Sequence, residues 1–489
     1  MKNLFLSIFI LFIFELHYSS IQAYNVDKIY IDGQHKLIVS NNVNIVHFIK
    51  CGSADSILIE SNGKYGLIDS SNPYQYIKNE VEHVQIDESK GEENQWAASP
   101  DQSVQAVLNY LDYLGVNKLD FILGTHAHSD HIGGIPAIAY KFVDSNTKYY
   151  YREYRKTRED TTHVDWANYK YYLAAVHSMQ KKGAQLIDIT NRNIKLNFGD
   201  FSLELLNTDI DPDELNLGEN QNSIVTLLKY KDFKLFLAAD MISKDDIKIK
   251  DYIGKIDILK LAHHGYSESS YEFLSTTKPD YVVISNSNIP SYANQLINYM
   301  KDTLKSKIYL TQYVSGTSQS VEKSAIKLNF VNNEFYFTNT GSEVNVDKNA
   351  NGWSSWCDKW TYLESGKTVK GWKKLKWSDG VNWFYFNSDG IMVTGWQDLN
   401  WSGGKNWFYF DKKDGYMVTG WKELDWTGGN NWFYFDKTDG YMVTGWQELN
   451  WSGGKNWFYF LPENGTLVQN TCMTIDGKKY CFDKNGCLI

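Results

Sequence analysis

Three histidines and an aspartate fall within six residues in the run Thr125-His126-Ala127-His128-Ser129-Asp130-His131-Ile132-Gly133-Gly134. Imidazole nitrogens and a carboxylate at that density suit Zn²⁺ or a similar first-row ion. The alternating His126 and His128 can reach one metal, while Asp130 and His131 turn toward a second. Gly133-Gly134 lets a following helix begin close to the site. Two later segments complete the set. Leu235–Ala239 is an apolar run that ends in Asp240, a place for a carboxylate shared by two ions. Leu259-Lys260-Leu261-Ala262 leads into the pair His263-His264. Two divalent ions held about 3.5–4 Å apart acidify water and hold the negative charge that develops during hydrolysis. Such a site could open a phosphodiester, a lactam, a thioester or a lactone, and the cluster alone does not choose.

These residues need a frame, and the surrounding pattern predicts one. From about Asn42 to Phe337, strand-like and helix-like segments alternate. Asn44–Phe48, Ser56–Glu60 and Tyr65–Ile68 read as strands, with Asn62-Gly63 as a hairpin turn. Val104–Leu114 has helical spacing, and Asp120–Leu123 is a buried strand leading into the histidines. Ser202–Leu206, Ile224–Tyr230, Lys234–Ala238, Ile256–Leu261, Tyr281–Ser285 and Lys307–Leu310 are further strands, with a helix near Ala293–Leu304. The pattern is that of a layered α/β domain. Tyr149–Tyr151, Tyr154, Trp166, Tyr169, Tyr171 and Tyr172 form an aromatic-rich stretch that reads equally well as a pocket wall or a packing helix.

The chain has 489 residues, more than one ordinary core, and 17 Trp, of which all but Trp96 and Trp166 lie after residue 350. There the sequence repeats. Gly-Trp recurs at Trp372, Trp396, Trp421 and Trp446, spaced 24, 25 and 25 residues. Each unit also holds Trp-Ser/Thr-x-Gly, at Trp377, Trp401, Trp426 and Trp451, and a Trp-Phe-Tyr-Phe run beginning at Trp383, Trp407, Trp432 or Trp457. Strand alternation puts Trp407 and Tyr409 on one face and Phe408 and Phe410 on the other. A lone hairpin is not stable, so the units must stack as a solenoid. One face is expected to stack and the other to stay free for a ligand, with Met417 and Met442 as lining residues. The expected divisions are a signal segment over 1–23, a catalytic domain over 40–340, a junction over 341–370, and repeats with a terminal cap over 371–489.

The run from His126 to Gly134, with Asp240 and His263-His264, resembles the metallo-β-lactamase superfamily. The resemblance implies an αββα sandwich carrying two divalent metal ions, Zn²⁺ foremost, at the sheet edges. It implies His126, His128, Asp130, His131, Asp240 and His264 as metal ligands, Asp240 bridging. Asp130 and His263 are then the catalytic residues, His263 through substrate contact or proton transfer. A further histidine for the first metal is missing, with only His163 and His177 available. Asn220-Gln221-Asn222-Ser223 stands before a strand instead, which resembles the branch holding competence-type and phosphorylcholine-esterase domains and implies Asn222 and Ser223 as substrate contacts. His47-Phe48-Ile49, Ser56–Gly63, Lys118–Leu123 and Ile253–Asp257 resemble the phosphorylcholine esterases. The Gly-Trp repeats resemble choline-binding or glucan-binding wall modules. That implies ligand cages built from Trp372, Trp383, Tyr385, Trp396, Trp407, Tyr409, Trp421, Trp432, Tyr434, Trp446, Trp457 and Tyr459, since aromatic rings attract quaternary ammonium.

The formal charge is −9, while residues 351–489 carry equal numbers of acids and bases, so the negative charge sits in the catalytic part. That argues against nucleic acid as the main partner. Met1-Lys2-Asn3, the apolar run Leu4–Phe14 and a cut near Ala23 read as a secretory signal, too short for a membrane span. Five Cys are too few for a disulfide framework, though Cys472, Cys481 and Cys487 could include one bridge. The expected protein is secreted and wall-associated, binds choline or a phosphorylcholine-bearing teichoic acid polymer, and removes phosphorylcholine from it as a phosphodiesterase. A competence-type nuclease or other phosphodiester hydrolase is the second reading, and a non-enzymatic wall adhesin the third.

Overall fold

The computed structural model describes residues 28–31, 34–37, 43–73, 103–154, 163–190, 192–206, 218–266, 269–290, 293–312, 321–331, 333–340, 344, 348–356, 358–378, 380–401, 404–426, 429–452 and 454–489. The signal-like start, Trp96, Cys357 and the side chains of His163 and Trp166 lie outside them. The chain forms two compact units, residues 1–288 with 306–344, and 289–305 with 345–489.

In the first unit, β1 (Lys28–Ile31) and β2 (Gln34–Leu37) pair as a hairpin. Next come β3 (Asn44–Ile49), β4 (Ile57–Ser61), β5 (Lys64–Ile68), β6 (Phe121–Leu123), β7 (Lys148–Tyr151) and β8 (Gln185–Asp188). Then come β9 (Ile194–Phe198), β10 (Phe201–Leu206), β11 (Val225–Tyr230), β12 (Phe233–Leu237), β13 (Ile258–Lys260), β14 (Tyr281–Ile284) and β15 (Lys307–Leu310), followed by β16 (Ala325–Val331) and β17 (Glu334–Thr338). Among the described residues they build two sheets, in the orders β17-β16-β3-β4-β5-β6-β7-β8 and β15-β14-β13-β12-β11-β10-β9.

The strands are apolar on both sides because both faces are covered. Val46 and Phe48 of β3, Ile57 and Ile59 of β4 and Leu235 and Leu237 of β12 fill the layer between the sheets. Ile49, Leu58, Leu67 and Ile122, with the opposite parity, pack toward the outer helices. Those helices are α1 (Val104–Tyr113), α2 (Ser129–Ile132), α3 (Ile135–Phe142) and α4 (His163–Lys181). On the far side of the second sheet lie α5 (Ser243–Ile253) and α6 (Tyr271–Thr277), and Phe273 of α6 meets Phe236 of β12 at 5.5 Å between ring centroids. This is the expected αββα sandwich.

The parallel strands β5, β6, β12 and β13 all end at one edge, where open α/β sheets gather ligands. Gly134 shows how tightly this edge is built. A Cβ there would lie 2.3 Å from the Ser70 carbonyl oxygen and 2.7 Å from Val104 Cβ, so no side chain fits.

The second unit starts with α7 (Asn294–Asn298), which runs on through one wider turn to Thr303. Its Asn298 Nδ2 donates to Gly366 O (2.7 Å), and Tyr299 packs on Trp356 at 5.5 Å. Hairpins follow: β18 (Gly352–Trp356) with β19 (Lys359–Glu364) and the short β20 (Lys367–Thr368), then β21 (Gly371–Trp377) with β22 (Gly380–Phe386), β23 (Gly395–Trp401) with β24 (Gly404–Phe410), β25 (Gly420–Trp426) with β26 (Gly429–Phe435), β27 (Gly445–Trp451) with β28 (Gly454–Phe460), and β29 (Thr471–Ile475) with β30 (Lys478–Phe482). Each hairpin is tied to the one before it by a backbone bond after its turn, as in Met417 N to Trp383 O and Met442 N to Trp407 O, both 2.7 Å. Met417 packs beneath Gly440, whose φ of +76° only glycine adopts freely. Cys472 and Cys481 face each other across the last hairpin as a disulfide, leaving Cys487 free.

Three features differ from the sequence reading. Residues 289–305, expected within the catalytic domain, belong to the second unit. Residues 352–368, read as part of a junction, form a hairpin of the repeat type. The expected free face is also absent inside the stack. Trp396 and Tyr409 of one hairpin pack on Phe433 and Phe435 of the next. A thin hairpin has only two faces, and an internal unit of a stack has a neighbour on each.

Candidate metal centre and aromatic array

The His126–His131 run leaves β6, Asp240 follows β12 and His264 follows β13. The exits from β5, β12 and β13 bend sharply. Asp69 (φ 57°), Ala239 (φ 45°), His263 (φ 46°) and His264 (φ 52°) all take left-handed backbone conformations that cost non-glycine residues energy and concentrate at functional sites.

Among the described residues three groups of ligand atoms result, two of them built around Asp240. His126, His128 and Asp240 form one; Asp130, His131, Asp240 and His264 form the other; within each, the atoms lie within 4.8 Å of one another. Asp240 belongs to both. His126 Nε2 and His128 Nδ1 stand 3.0 Å apart. His131 Nε2 is 3.2 Å from Asp240 Oδ2, and His264 Nε2 is 3.2 Å from Asp130 Oδ2 and 3.5 Å from Asp240 Oδ1. His131 Nε2, His264 Nε2 and Asp240 Oδ1 are buried and make no hydrogen bond. Orphaned nitrogens and a carboxylate oxygen aimed at common points are what divalent ions would satisfy.

The ring nitrogens facing away are held from behind, as metal-bound histidines require. His131 Nδ1 donates to Asp69 Oδ2 (2.7 Å), and His264 Nδ1 donates to Ser285 O (3.1 Å). Asp69 also accepts from Thr125 N (2.9 Å) and Thr125 Oγ1 (2.8 Å), and that hydroxyl lies 3.1 Å from His126 Nδ1.

Electrostatics point the same way. Desolvation works to lower His264, but Asp240, Asp130 and Asp55 overcome it and raise the imidazole to about 10. His131 is likewise raised well above its ordinary value by Asp240, Asp69 and Asp130 against its burial. Desolvation works to raise Asp130, yet His131 and His264 hold it at about 2. The carboxylates that suit cations here thus also favour protonated histidines. At neutral pH His264, raised to about 10, and His131, raised well above its ordinary value, carry protons that a metal must displace, so binding strengthens as pH rises. Calorimetric titration with Zn²⁺ at pH 7.5 in buffers of different ionisation enthalpy should show release of about two protons per loaded chain.

The remaining expected residues fall as follows. His263 stands at the rim, its Nε2 3.9 Å from Asp240 Oδ2 and 3.4 Å from Asn220 Nδ2. Ser223, expected to touch substrate, is fully buried and stands behind the ligands instead. Its Oγ accepts from Asp240 N (3.3 Å) and lies 3.5 Å from His126 Nδ1. Asn222 lines a pocket beside His126, and its Oδ1 is buried without a hydrogen-bond partner. His177 is exposed on α4, and among the described residues no further histidine joins the first group.

Sequence reasoning missed Asp55, Asp69, Glu219 and Lys260. Asp69 had a usable signal, an acid ending the apolar strand β5 as Asp240 follows β12. Glu219 accepts from Ala127 N (2.8 Å) and from Asn222 Nδ2 (3.2 Å). It walls the same pocket with Tyr149, Tyr151, Tyr154, Tyr172, Arg152 and Glu153.

The array repeats one aromatic arrangement. Trp372 meets Tyr385 at 5.2 Å, Trp383 at 6.4 Å and, from the next hairpin, Trp401 at 5.0 Å. Trp396 meets Tyr409, Trp407 and Trp426 at 5.2, 6.4 and 5.3 Å. Trp421 meets Tyr434, Trp432 and Trp451 at 5.1, 6.4 and 5.3 Å. Trp353 meets Tyr362, Trp360 and Trp377 at 5.4, 6.3 and 5.0 Å, an additional copy. Trp446 meets Tyr459 and Trp457 at 5.0 and 6.4 Å, but Tyr480 is its neighbour from the last hairpin. The closing rings Trp377, Trp401, Trp426 and Trp451 were absent from the expected cage set, although they recur at the same spacing as the Gly-Trp rings. Tyr409, Tyr434 and Tyr459 are buried in the stack, whereas Trp407 and Trp457 are 45% and 47% exposed.

Residues 49–285 match the metallo-β-lactamase superfamily. The first unit is a metallo-β-lactamase domain, which supports a metal-dependent hydrolase. Residues 418–471 match the choline-binding repeat. The chain therefore joins a metallo-β-lactamase domain to choline-binding repeats. Among solved structures, it is similar to CbpJ from Streptococcus pneumoniae TIGR4 (29% identity over 33% of this chain and 51% of that one, TM-score 0.24). It thus spans about half the length of CbpJ. It is also similar to the choline binding domain of Spr1274 from Streptococcus pneumoniae (35% identity, 15% and 84%, TM-score 0.12). A third similarity is to the metallo-beta-lactamase fold protein YhfI from Bacillus subtilis (14% identity, 55% and 96%, TM-score 0.34). No curated protein matches the sequence. Among the described residues no helix is long and apolar enough to cross a membrane.

Proposed function

We propose that the protein is a secreted, wall-associated phosphodiesterase that releases phosphorylcholine from a teichoic acid polymer, held on its substrate by choline bound along the array. The observation that carries this is the sharing of Asp240 between two ligand groups, beside a pocket walled by tyrosines and carboxylates.

His126, His128 and Asp240 would hold one Zn²⁺, and Asp130, His131, Asp240 and His264 the other. When bound, such a pair supplies Lewis acidity and an acidified water. The chain's own residues do the rest. Asp69, Thr125, Ser223 and Ser285 fix the ligands. His263, at the rim, would give a proton to the leaving oxygen. Tyr149 and Tyr151 stack at 5.3 Å, and Tyr154 and Tyr172 meet at 5.9 Å. These rings would offer cation–π attraction to a trimethylammonium head, and Glu153 and Glu219 an opposite charge, partly offset by Arg152 in the same pocket wall. In the array the exposed Trp edges, closed by the Trp of the next hairpin, offer the same chemistry.

The test is a substrate comparison. Zn²⁺-loaded protein should cleave p-nitrophenyl-phosphorylcholine, leave a β-lactam intact, and prefer the choline ester to bis-p-nitrophenyl phosphate. Equal cleavage of both esters would favour a general phosphodiesterase or nuclease, and cleavage of neither would leave the array as the main function.

A further inference from the structure

Lys260 is fully buried, although it ends the interior strand β13. It shares the parity of Ile258, which faces the layer between the sheets, so its side chain reaches across that layer at the metal edge. Its Nζ bonds the Asp55 carboxylate and donates to Ala239 O (3.2 Å). Asp55 comes from the loop between β3 and β4 of the opposite sheet, and Ala239 immediately precedes Asp240. Asp55 N in turn donates to Asp130 O (3.1 Å). One ammonium group therefore joins the backbone that presents Asp130 to the backbone that presents Asp240.

Asp55 is itself close to the ligands. Its oxygens lie 3.7 Å from His264 Nδ1 and 4.0 Å from His131 Nδ1, and Asp55, Asp69 and His131 form a third group of adjacent donor atoms. A buried Lys–Asp pair is a poor source of stability, because desolvation of both charges offsets their attraction. Apolar side chains would fill this core at least as well. What the pair supplies is geometry, since the metal ligands come from two sheets and must meet at a fixed separation.

We infer that Lys260 and Asp55 are positioning residues, a strut across the two sheets that sets Asp240 against Asp130 and His131 and keeps Asp55 itself away from the metals. The inference rests on the two-ion reading of the centre. It is tested by Zn²⁺ affinity and stoichiometry in the full-length chain, measured by calorimetry with chelator competition. Wild type should bind two ions; a wild type that binds fewer would remove the site reading itself, and this inference with it, before any variant is compared. Lys260→Met should weaken at least one ion by about 10- to 100-fold, the range for partners behind metal ligands. Asp55→Asn keeps an acceptor for Lys260 but strips its countercharge. It should also weaken binding, and it carries the test if Lys260→Met does not fold. The double variant decides between geometry and charge. Affinity that stays weak supports the strut. Wild-type affinity in the double variant, or in both single variants, would overturn it.

Discussion

Replacing Asp240 by asparagine should leave a folded protein that binds no ion pair and hydrolyses phosphorylcholine esters more than about 1,000-fold more slowly, the scale seen when one member of a catalytic unit is removed. Asp240 is the one carboxylate common to both ligand groups, so its loss strips an anionic ligand from each. Asparagine keeps the volume and one acceptor oxygen but not the charge that offsets two cations. His131 and His264 lose their principal raising neighbour at the same time, so the proton release expected on zinc binding should shrink with the affinity. Metal content after dialysis and kcat/KM on the choline ester check this together. An Asp240→Asn protein that keeps two ions and wild-type turnover would show that the shared carboxylate is not what holds the centre.

Replacing Trp360, Trp383, Trp407, Trp432 and Trp457 by alanine in one chain should abolish retention on a choline resin while the array stays folded. These rings stand at the edge of the stack, and Trp407 and Trp457 are nearly half exposed. Their Gly-Trp partners pack instead on the phenylalanines of the next hairpin, as Trp372 does on Phe408 and Phe410 at 4.9 and 5.7 Å. On the proposed reading, each edge ring would contribute roughly 0.5–2 kcal/mol to holding a quaternary ammonium. Several weak sites on one chain gain about 10²–10⁴ in avidity when the ligand is repeated along a polymer. Losing every edge ring should therefore remove binding, while a single loss merely weakens it. Hydrolysis of a small soluble ester should be unchanged in the same protein. Retention of the five-fold variant on the resin would assign the rings to packing alone.

The contrast between these two sets of residues explains what the sequence made legible. The ligands stand out because their chemistry is dense, with His126 to His131 in one short run and Asp240 and His264 just beyond apolar strands. Their supports are scattered single residues. Lys260 meets Asp55 from 205 positions away, and His131 meets Asp69 from 62, separations that no local pattern encodes. The parity of β13 places Lys260 in the inter-sheet layer, but only the folded sandwich brings Asp55 opposite it. In the array, the Gly-Trp spacing revealed four units. The hairpin at 352–368 escaped because its second strand reads Trp360-Thr361-Tyr362-Leu363 in place of Trp-Phe-Tyr-Phe. Alternation correctly sorted Trp407 from Phe408, yet it could not show that stacking covers both faces. The tyrosines from Tyr149 to Tyr172 fit a packing helix or a pocket equally well in sequence. In the fold several do both, with Tyr149 and Tyr172 packing in the core and also lining the pocket beside His126.

The most direct measurement is the product released when the Zn²⁺-loaded full-length protein is mixed with purified walls bearing phosphorylcholine. Free phosphorylcholine should accumulate, stop on chelation and return with added Zn²⁺. Walls that keep all their phosphorylcholine, although the protein carries two ions and stays bound to them, would contradict the assignment.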